Sequence, residues 1–295
     1  MLYPRRMQQR ELTSFDGTRI VYLTGGQGER TLVVANGYGG SFWAWRDILA
    51  QLAPRYRLLI WDYRGLYQSQ APADRRHLRI EDHCRDLDAL LAAEEIVAPV
   101  ALAGWSVGVQ VALEQYRRRP ESIAALLLVN GAPGRVLHRS LDGRLAALLL
   151  PCSTSLLHRL APVIAPALLP PLRAIARSRR TVTVASWAGV VAGQPPSFHE
   201  ALQAVLTLDH HLYFEMALLA DEHDAEDMLS TVAVPTLVTA GERDLITPPR
   251  IGRHVASRIP RAEYFEIPGG THYSVMEFPR LVANRIASFL QRRLG

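Results

Sequence analysis

The sequence contains no lysine, so all 33 residues of the Lys and Arg type are arginines. The formal net charge is only +5 at pH 7, and the arginine clusters 117–119 and 177–180 are short, without interleaved aromatic residues. Such short clusters are more typical of helix ends than of a nucleic-acid-binding surface. We therefore expect no nucleic-acid partner.

Cysteine is also scarce, and Cys84 and Cys152 are too few for a disulfide framework. Both lie in apolar or helical stretches, so we expect buried thiols. The N-terminal stretch has no apolar segment typical of a signal peptide. The most apolar stretch, 145–172, is interrupted by His158, Arg159 and several prolines before it reaches about 18 residues. We therefore expect a cytoplasmic protein without a membrane span.

The chain has 295 residues, 48% of them hydrophobic and 21% charged, which is enough apolar material for a substantial core. Strand and helix patterns alternate up to about Ala132 and resume near Thr236. This alternation predicts an α/β fold with a mostly parallel central sheet and helices on both faces. Two alternating segments joined by "DGT" predict an antiparallel hairpin at the start.

Residues 133–231 interrupt that alternation and are rich in Leu, Ala and Pro. We interpret them as a helical cap inserted into a core domain of residues 1–132 and 232–295. A cap over a sheet edge commonly forms a substrate pocket, so we expect the Leu-rich stretch 145–172 to face that pocket. Extra core packing or a dimer contact are alternatives for the same segment, and the protein is expected to be a monomer or a homodimer.

The pentapeptide "GWSVG" places Ser106 between Gly104 and Gly108, after a predicted strand and before a predicted helix. A nucleophilic serine needs a sharp, strained turn, and glycines two residues away leave space for closely approaching backbones. The N–H of Val107, at the helix start, would then stabilise an oxyanion. A plain turn between strand and helix is the alternative interpretation of the pentapeptide alone.

Two later segments supply the partners that a catalytic serine needs, a base and a carboxylate that orients it. "GERD" places Asp244 after one predicted strand, and "GGTH" places His272 after the next. The order Ser106, Asp244, His272 has spacings of 138 and 28 residues, and the long first spacing contains the predicted cap.

With these motifs and the segment Asp62-x-Arg64-Gly65, the chain resembles the α/β-hydrolase family over nearly its whole length. The resemblance implies that Ser106 is the nucleophile, His272 the general base and then acid, and Asp244 the orienting carboxylate. Asp62 and Arg64 are interpreted as an ion pair that braces their loop, without a catalytic role.

The resemblance also implies that the backbone N–H of Tyr38 is the second oxyanion donor, beside that of Val107. Gly39 and Gly40 would let this loop curl. Asn36 stands where the family usually has a histidine, and its amide can form similar hydrogen bonds. Tyr67 stands in a later loop where the family often has a glycine.

Ser106 is the central residue of the pentapeptide, where dehalogenase-like and epoxide-hydrolase-like family members carry a carboxylate. A serine at this position implies an acyl-enzyme and a substrate with an activated carbonyl. Trp43, Trp105 and Tyr38 lie near the predicted site, and the cap is apolar. These features favour a small-molecule substrate, a small to medium ester with an apolar or aromatic group. We therefore expect a serine ester hydrolase that needs no cofactor.

Three other interpretations use the same sequence. The same triad serves a lactonase or a hydrolase of C–C bonds, a silent triad would leave a ligand-binding protein, and a cap used as a dimer surface would make a scaffold protein. His211 and Glu215 are four residues apart on one helical face, as metal ligands can be. No H-E-x-x-H pattern or cysteine cluster accompanies them, so we predict no metal site.

Overall fold

A computed structural model describes residues 7–139 and 144–295, without the side chains of 144–148. Predictions for residues 1–6, at the start of the core domain, lie outside the described residues. The same holds for residues 140–143 of the predicted cap and for the side chains that begin the Leu-rich stretch.

Eight strands form one sheet in the order β1-β2-β4-β3-β5-β6-β7-β8. β2 is antiparallel to both β1 and β4, and all other pairs are parallel, so the predicted α/β fold and its opening hairpin are confirmed. The strands are Met7–Thr13 (β1), Arg19–Gly26 (β2), Thr31–Ala35 (β3), Arg57–Trp61 (β4), Val100–Trp105 (β5), Ile123–Val129 (β6), Thr236–Gly241 (β7) and Ala262–Ile267 (β8).

Helices cover both faces of this sheet, which explains why its strands β3 to β7 are largely apolar and buried. In β3, Val33 faces the helices α2 and α3, while Leu32 and Val34 face α1 and α11. The helices are Phe42–Leu52 (α1), Ile80–Ala93 (α2), Gly108–Arg118 (α3), Val136–Arg139 (α4), Arg144–Ala176 (α5), Arg180–Trp187 (α6), Pro196–Val205 (α7), His210–Glu222 (α8), Pro249–Arg258 (α9), Ser274–Glu277 (α10) and Pro279–Leu294 (α11).

Capping residues separate two pairs of neighbouring helices. α8 starts anew after α7 because the Asp209 side chain accepts hydrogen bonds from the N–H groups of His211 and Leu212. α11 starts anew after α10 at Pro279, which suits the first turn of a helix but not its interior.

Helices α4 to α8 lie between β6 and β7, where the sequence predicts the cap. Gly134 and Asp224 pair in a short antiparallel bridge where the chain leaves and re-enters the sheet region. The limits 133–231 of a cap stay a prediction.

α5 is one continuous helix although it contains five prolines. By length and composition alone, its part Leu149–Ala176 could cross a membrane, with a mean hydropathy of 1.2, although we expected the interruptions to exclude this. Only 11% of the most apolar 18-residue stretch of this part is buried in the structure. Cys152 on this helix is exposed, so its predicted burial was wrong, whereas Cys84 in α2 is buried as expected.

Arg64, fully buried, is the centre of an ion cluster behind the loop that follows β4. Its Nε donates to Asp86 Oδ2 at 2.8 Å, and its Nη1 donates to Asp16 Oδ2 at 2.7 Å. Asp62 is not its partner, which corrects the predicted pair. The Asp62 carboxylate instead accepts a 2.6 Å hydrogen bond from Ser41 Oγ. The cluster therefore ties the loop after β4 to the opening hairpin and to α2.

We predict that Arg64→Leu lowers the free energy of unfolding by about 3–5 kcal/mol, because it leaves the buried Asp86 carboxylate without its charged partner. Urea denaturation followed by circular dichroism measures the change. Arg76→Leu is the matched control, since Arg76 pairs with Asp74 at the exposed surface and should not change stability measurably. Equal stability of both variants would contradict a structural role for the cluster.

Candidate active site

Ser106 lies on a strained turn between β5 and α3, with a backbone φ of 58°, in the left-handed region that disfavours side chains. A Cβ on Gly104 would lie 2.1 Å from the carbonyl oxygen of Gly108, and a Cβ on Gly108 would lie 2.1 Å from that of Ala35. Neither position can hold a larger residue without moving the backbone. The glycine spacing of the motif is therefore a steric requirement of this turn.

The structure brings the three predicted triad residues together from the ends of β5, β7 and β8. Ser106 Oγ lies 3.0 Å from His272 Nε2, and His272 Nδ1 lies 2.9 Å from Asp244 Oδ2. His272 and Asp244 are buried, while Ser106 is partly accessible. This arrangement suits transfer of the serine proton to an imidazole that a carboxylate orients.

Asp244 is held by a full set of donors. Oδ1 accepts from the N–H groups of Ile246 and Thr247, both at 2.8 Å, and Oδ2 accepts from Asn130 Nδ2 at 3.0 Å and from Thr247 Oγ1 at 2.8 Å. Burial raises the pKa of Asp244, but the neighbouring His272 and the bonds from Thr247 outweigh it and bring the pKa below the ordinary value. The carboxylate therefore stays ionised at neutral pH, as an orienting group must.

Asn130 and Thr247 are positioning residues that the sequence analysis missed. Besides its bond to Asp244, Asn130 Nδ2 donates to the carbonyl of Thr271, next to His272, and its Oδ1 accepts from Ser274 Oγ. Asn130 has φ 44°, and the only signal for it was an Asn-Gly pair directly after a predicted strand.

Residues 36–40 follow β3 and carry the Tyr38 N–H that is predicted to stabilise an oxyanion; we call them the oxyanion loop. Two side chains brace this loop. Asn36 Oδ1 accepts from the N–H of Gly37 at 3.0 Å, so the amide braces the start of the loop. Tyr67 Oη donates to the carbonyl of Tyr38 at 3.1 Å. Tyr67 has φ 51°, a conformation that favours glycine, and its hydroxyl is the feature that a glycine would lack.

His83 supports the same loop from below, because its Nε2 lies 3.2 Å from the hydroxyl of the buried Tyr38. Burial, and then the charge of Arg64, bring the pKa of His83 well below its ordinary value. A neutral imidazole at neutral pH is suited to accept the Tyr38 hydroxyl hydrogen. No sequence pattern indicates this role of His83.

Tyr38 and Val107 carry the N–H groups predicted to stabilise an oxyanion. Within the described residues, neither of these N–H groups donates to a protein acceptor. Val107 also directly precedes α3, where the helix dipole favours negative charge. Their role in an oxyanion hole stays a prediction. Neither the loop after β3 nor the turn at Ser106 occupies these two N–H groups with a hydrogen bond of its own, so both are free to serve in it.

A cavity of about 190 Å³ lies over Ser106. The oxyanion loop and α3 line one side of it. The helices α4 and α8, which lie between β6 and β7, line the other side through Leu137, Tyr213 and Ala217. Tyr38 and Trp105 line it, as expected.

Two expectations about the cavity are corrected. Trp43 does not line it, because its ring is buried in α1 against Tyr67, at 6.2 Å between centroids. None of the described side chains of 149–172 lines it either, because α8 lies at the wall and α5 packs against α8.

Gln110 gives the cavity a polar group that the sequence analysis did not single out. It lies in the first turn of α3 and is fully buried at the cavity wall. Neither atom of its side-chain amide has a hydrogen-bond partner among the described residues. An unpaired buried amide is costly, and Gln110 therefore leaves a donor and an acceptor available at the cavity wall.

His211 and Glu215 bond to other neighbours instead of facing a shared ion. Glu215 accepts from Arg75 at 2.8 Å, and the His211 ring stacks on His158 with centroids 4.2 Å apart. Across residues 7–139 and 144–295, no group of three His, Cys, Asp or Glu side chains is arranged to hold a metal ion.

Comparison with known proteins identifies the family of this fold. A family model described as alpha/beta hydrolase fold matches residues 30–279. A Caulobacter vibrioides protein provisionally named carbamate hydrolase RutD is 28% identical over 269 residues, covering 90% of this chain and 91% of its own.

Two solved structures share the fold. A thermophilic esterase from Thermogutta terrifontis has a TM-score of 0.73 at 23% identity, over 97% of this chain and 98% of its own. The enol-lactonase from Burkholderia xenovorans LB400 has a TM-score of 0.72 at 21% identity, over 96% and 100%.

We predict that Asp244→Asn lowers kcat on the order of 10³-fold or more with little change in melting temperature, because the amide keeps the shape but neither orients nor stabilises protonated His272. Steady-state kinetics and thermal unfolding test this. Asp221→Asn is the control and should leave kcat nearly unchanged. Asp221 also lines the cavity, but it accepts hydrogen bonds from His138 and from the N–H of Leu137 instead of from His272. A fully active Asp244→Asn variant would refute the assignment.

Proposed function

Because the chain belongs to the alpha/beta hydrolase fold family, we propose that it hydrolyses carboxylic esters of small molecules through an acyl-enzyme on Ser106. The observation that carries the proposal is the continuous hydrogen-bonding chain from Ser106 through His272 to Asp244, open to a cavity at its serine end. This chain supports the proposal because acyl transfer requires a nucleophile, a base and an orienting carboxylate within hydrogen-bonding reach of one another.

In the proposed reaction, Ser106 Oγ attacks the ester carbonyl while His272 Nε2 accepts the serine proton. The carbonyl oxygen becomes an oxyanion that the N–H groups of Tyr38 and Val107 stabilise. His272 then donates the proton to the leaving alkoxide, which departs as an alcohol. Water attacks the acyl-enzyme with His272 as base, and the acid leaves with Ser106 restored.

The size of the cavity supports short acyl groups. Its volume of about 190 Å³ is below the roughly 300–1,000 Å³ usual for pockets that hold drug-sized ligands. Leu137, Tyr213 and Ala217 give it an apolar wall. Since none of the described side chains of α5 lines it, acyl chains of about eight carbons should not be preferred.

Carbamates and enol lactones are the alternatives that the similar proteins suggest. The name of the Caulobacter vibrioides relative refers to a carbamate hydrolase, and one structural neighbour is an enol-lactonase. Both substrate classes offer a carbonyl to the same serine, so only a comparison of turnover separates them.

We predict that kcat/KM rises from p-nitrophenyl acetate to the butyrate, as buried methylene groups add binding energy, and falls again at the octanoate, which exceeds the cavity. Ser106→Ala should lower kcat/KM for the best ester on the order of 10³-fold or more, with folding intact.

A carbamate and an enol lactone are assayed beside the p-nitrophenyl esters. Higher kcat/KM for either of these would replace the ester proposal, and near-normal activity of Ser106→Ala would refute the acyl-enzyme. A folded wild-type protein that turns over none of the substrates would favour the ligand-binding alternative.

Gln110 generates a prediction about polar substrates. Gln110→Met keeps the side-chain volume but removes the amide, so the preference for a 3-hydroxybutyrate ester over the plain butyrate should fall about ten-fold. The measurement is the ratio of the two kcat/KM values. Gln51→Met, at an exposed site of α1, is the matched control. An unchanged ratio in Gln110→Met would show that the amide does not contact the acyl group.

A further inference from the structure

Exposed apolar side chains are concentrated on α5 and α6. On α5, Leu149, Leu156, Leu160 and Val163 are between 40% and 75% exposed. Their spacings of seven, four and three residues place them on one face of the helix. Several exposed apolar side chains on one helix face are typical of an interaction site in soluble proteins.

Trp187 at the end of α6 is a further exposed apolar side chain of the same segment. It is 85% exposed, while the other four tryptophans of the chain are all at most 4% exposed. Val184, one turn earlier on the same helix, is 60% exposed. We call the exposed side chains of Leu149, Leu156, Leu160 and Val163 in α5, with Val184 and Trp187 in α6, the docking face.

The charge of this part of the chain is of one sign. From Gly143 to His199 the sequence has six arginines and no Asp or Glu, although the whole chain has 28 acidic residues. Arg177 and Arg179, between α5 and α6, and Arg180, the first residue of α6, are exposed. The docking face is therefore accompanied by positive charge that its own segment does not neutralise.

That charge distinguishes between possible occupants. A two-fold dimer through the docking face would bring arginines of one copy towards the same segment of the other, which offers no carboxylate. Anionic lipid headgroups supply the missing negative charge, and the acyl boundary accommodates leucine and valine side chains. Tryptophan is also enriched at the membrane–water interface.

The opposite side of α5 is attached to the rest of the protein. His158 stacks on His211 of α8, and Arg173 Nε donates to the carbonyl of Leu206 at 2.9 Å. Ala161 and Ala176 are buried. We therefore propose that the docking face binds the surface of an anionic lipid bilayer, with α5 lying in the interface rather than crossing it.

Vesicle flotation of the full-length protein tests the proposal. Binding to vesicles of phosphatidylcholine with about one third phosphatidylglycerol should be at least ten-fold tighter than to phosphatidylcholine alone, and should weaken as salt rises. Brominated lipids should quench the fluorescence of Trp187, the only exposed tryptophan, and Trp187→Phe should remove this quenching.

Two sets of substitutions separate the apolar and the charged parts. Leu156→Ser with Leu160→Ser and Val163→Ser should reduce binding to anionic vesicles at least ten-fold. The matched control is Val97→Ser, since Val97 is 94% exposed outside the docking face.

Arg177→Gln with Arg179→Gln and Arg180→Gln should reduce binding on the order of 100-fold, at about five-fold for each arginine near the surface. Three exposed arginines elsewhere, Arg55, Arg258 and Arg280, are changed to Gln together as the control and should leave binding unchanged.

Activity on a water-soluble ester is measured in every variant. None of the substituted residues lines the cavity at Ser106, so activity should stay at the wild-type level, which also shows that the variants are folded. The binding result thus stands or falls independently of the ester proposal. Absence of vesicle binding, equal binding to neutral vesicles, or a stable dimer that only the docking-face substitutions dissociate would each overturn the proposal.

Discussion

The close approach of three backbone segments beneath Ser106 is the constraint on which the rest of the site depends. Gly104 of β5 lies against Gly108 at the start of α3, and Gly108 lies against Ala35 at the end of β3. This packing forces Ser106 into its left-handed conformation and presents Oγ at the carboxyl edge of the sheet. It also holds the oxyanion loop, which continues from β3, beside the serine. One steric requirement therefore sets the relative positions of the nucleophile and both proposed oxyanion donors.

Polar bonds from other strand ends complete the arrangement. Asn130, after β6, joins Asp244 to the backbone beside His272, and Trp105 Nε1 donates to the His272 carbonyl at 3.0 Å. Tyr67, after β4, holds the oxyanion loop, and its own loop is anchored by the buried Arg64 cluster. Rigid supports of this kind keep catalytic groups within the narrow range of geometry that acyl transfer requires.

The sequence was sufficient for those features that local chemistry determines. Buried strands are continuous apolar runs, and the glycines around Ser106 have a steric reason, so the fold could be predicted, and so could the close approach of Ser106, His272 and Asp244. Contacts between distant loops leave no such pattern. A tyrosine in place of a glycine at position 67 gave no sign of its bond to Tyr38. Trp43 and the Leu-rich part of α5 were wrongly predicted to line the cavity. Hydrophobicity alone does not indicate whether an apolar side chain faces the core, the cavity or the solvent.

The most direct test of the central claim is the site and stoichiometry of covalent labelling by a fluorophosphonate, measured by intact mass and peptide mapping of the folded protein. If Ser106 is activated by His272 and Asp244, one adduct forms for each chain, it maps to the peptide containing Ser106, and denatured protein does not form it. A folded protein that stays unlabelled, or that is labelled at another residue while Ser106 stays free, would contradict the account.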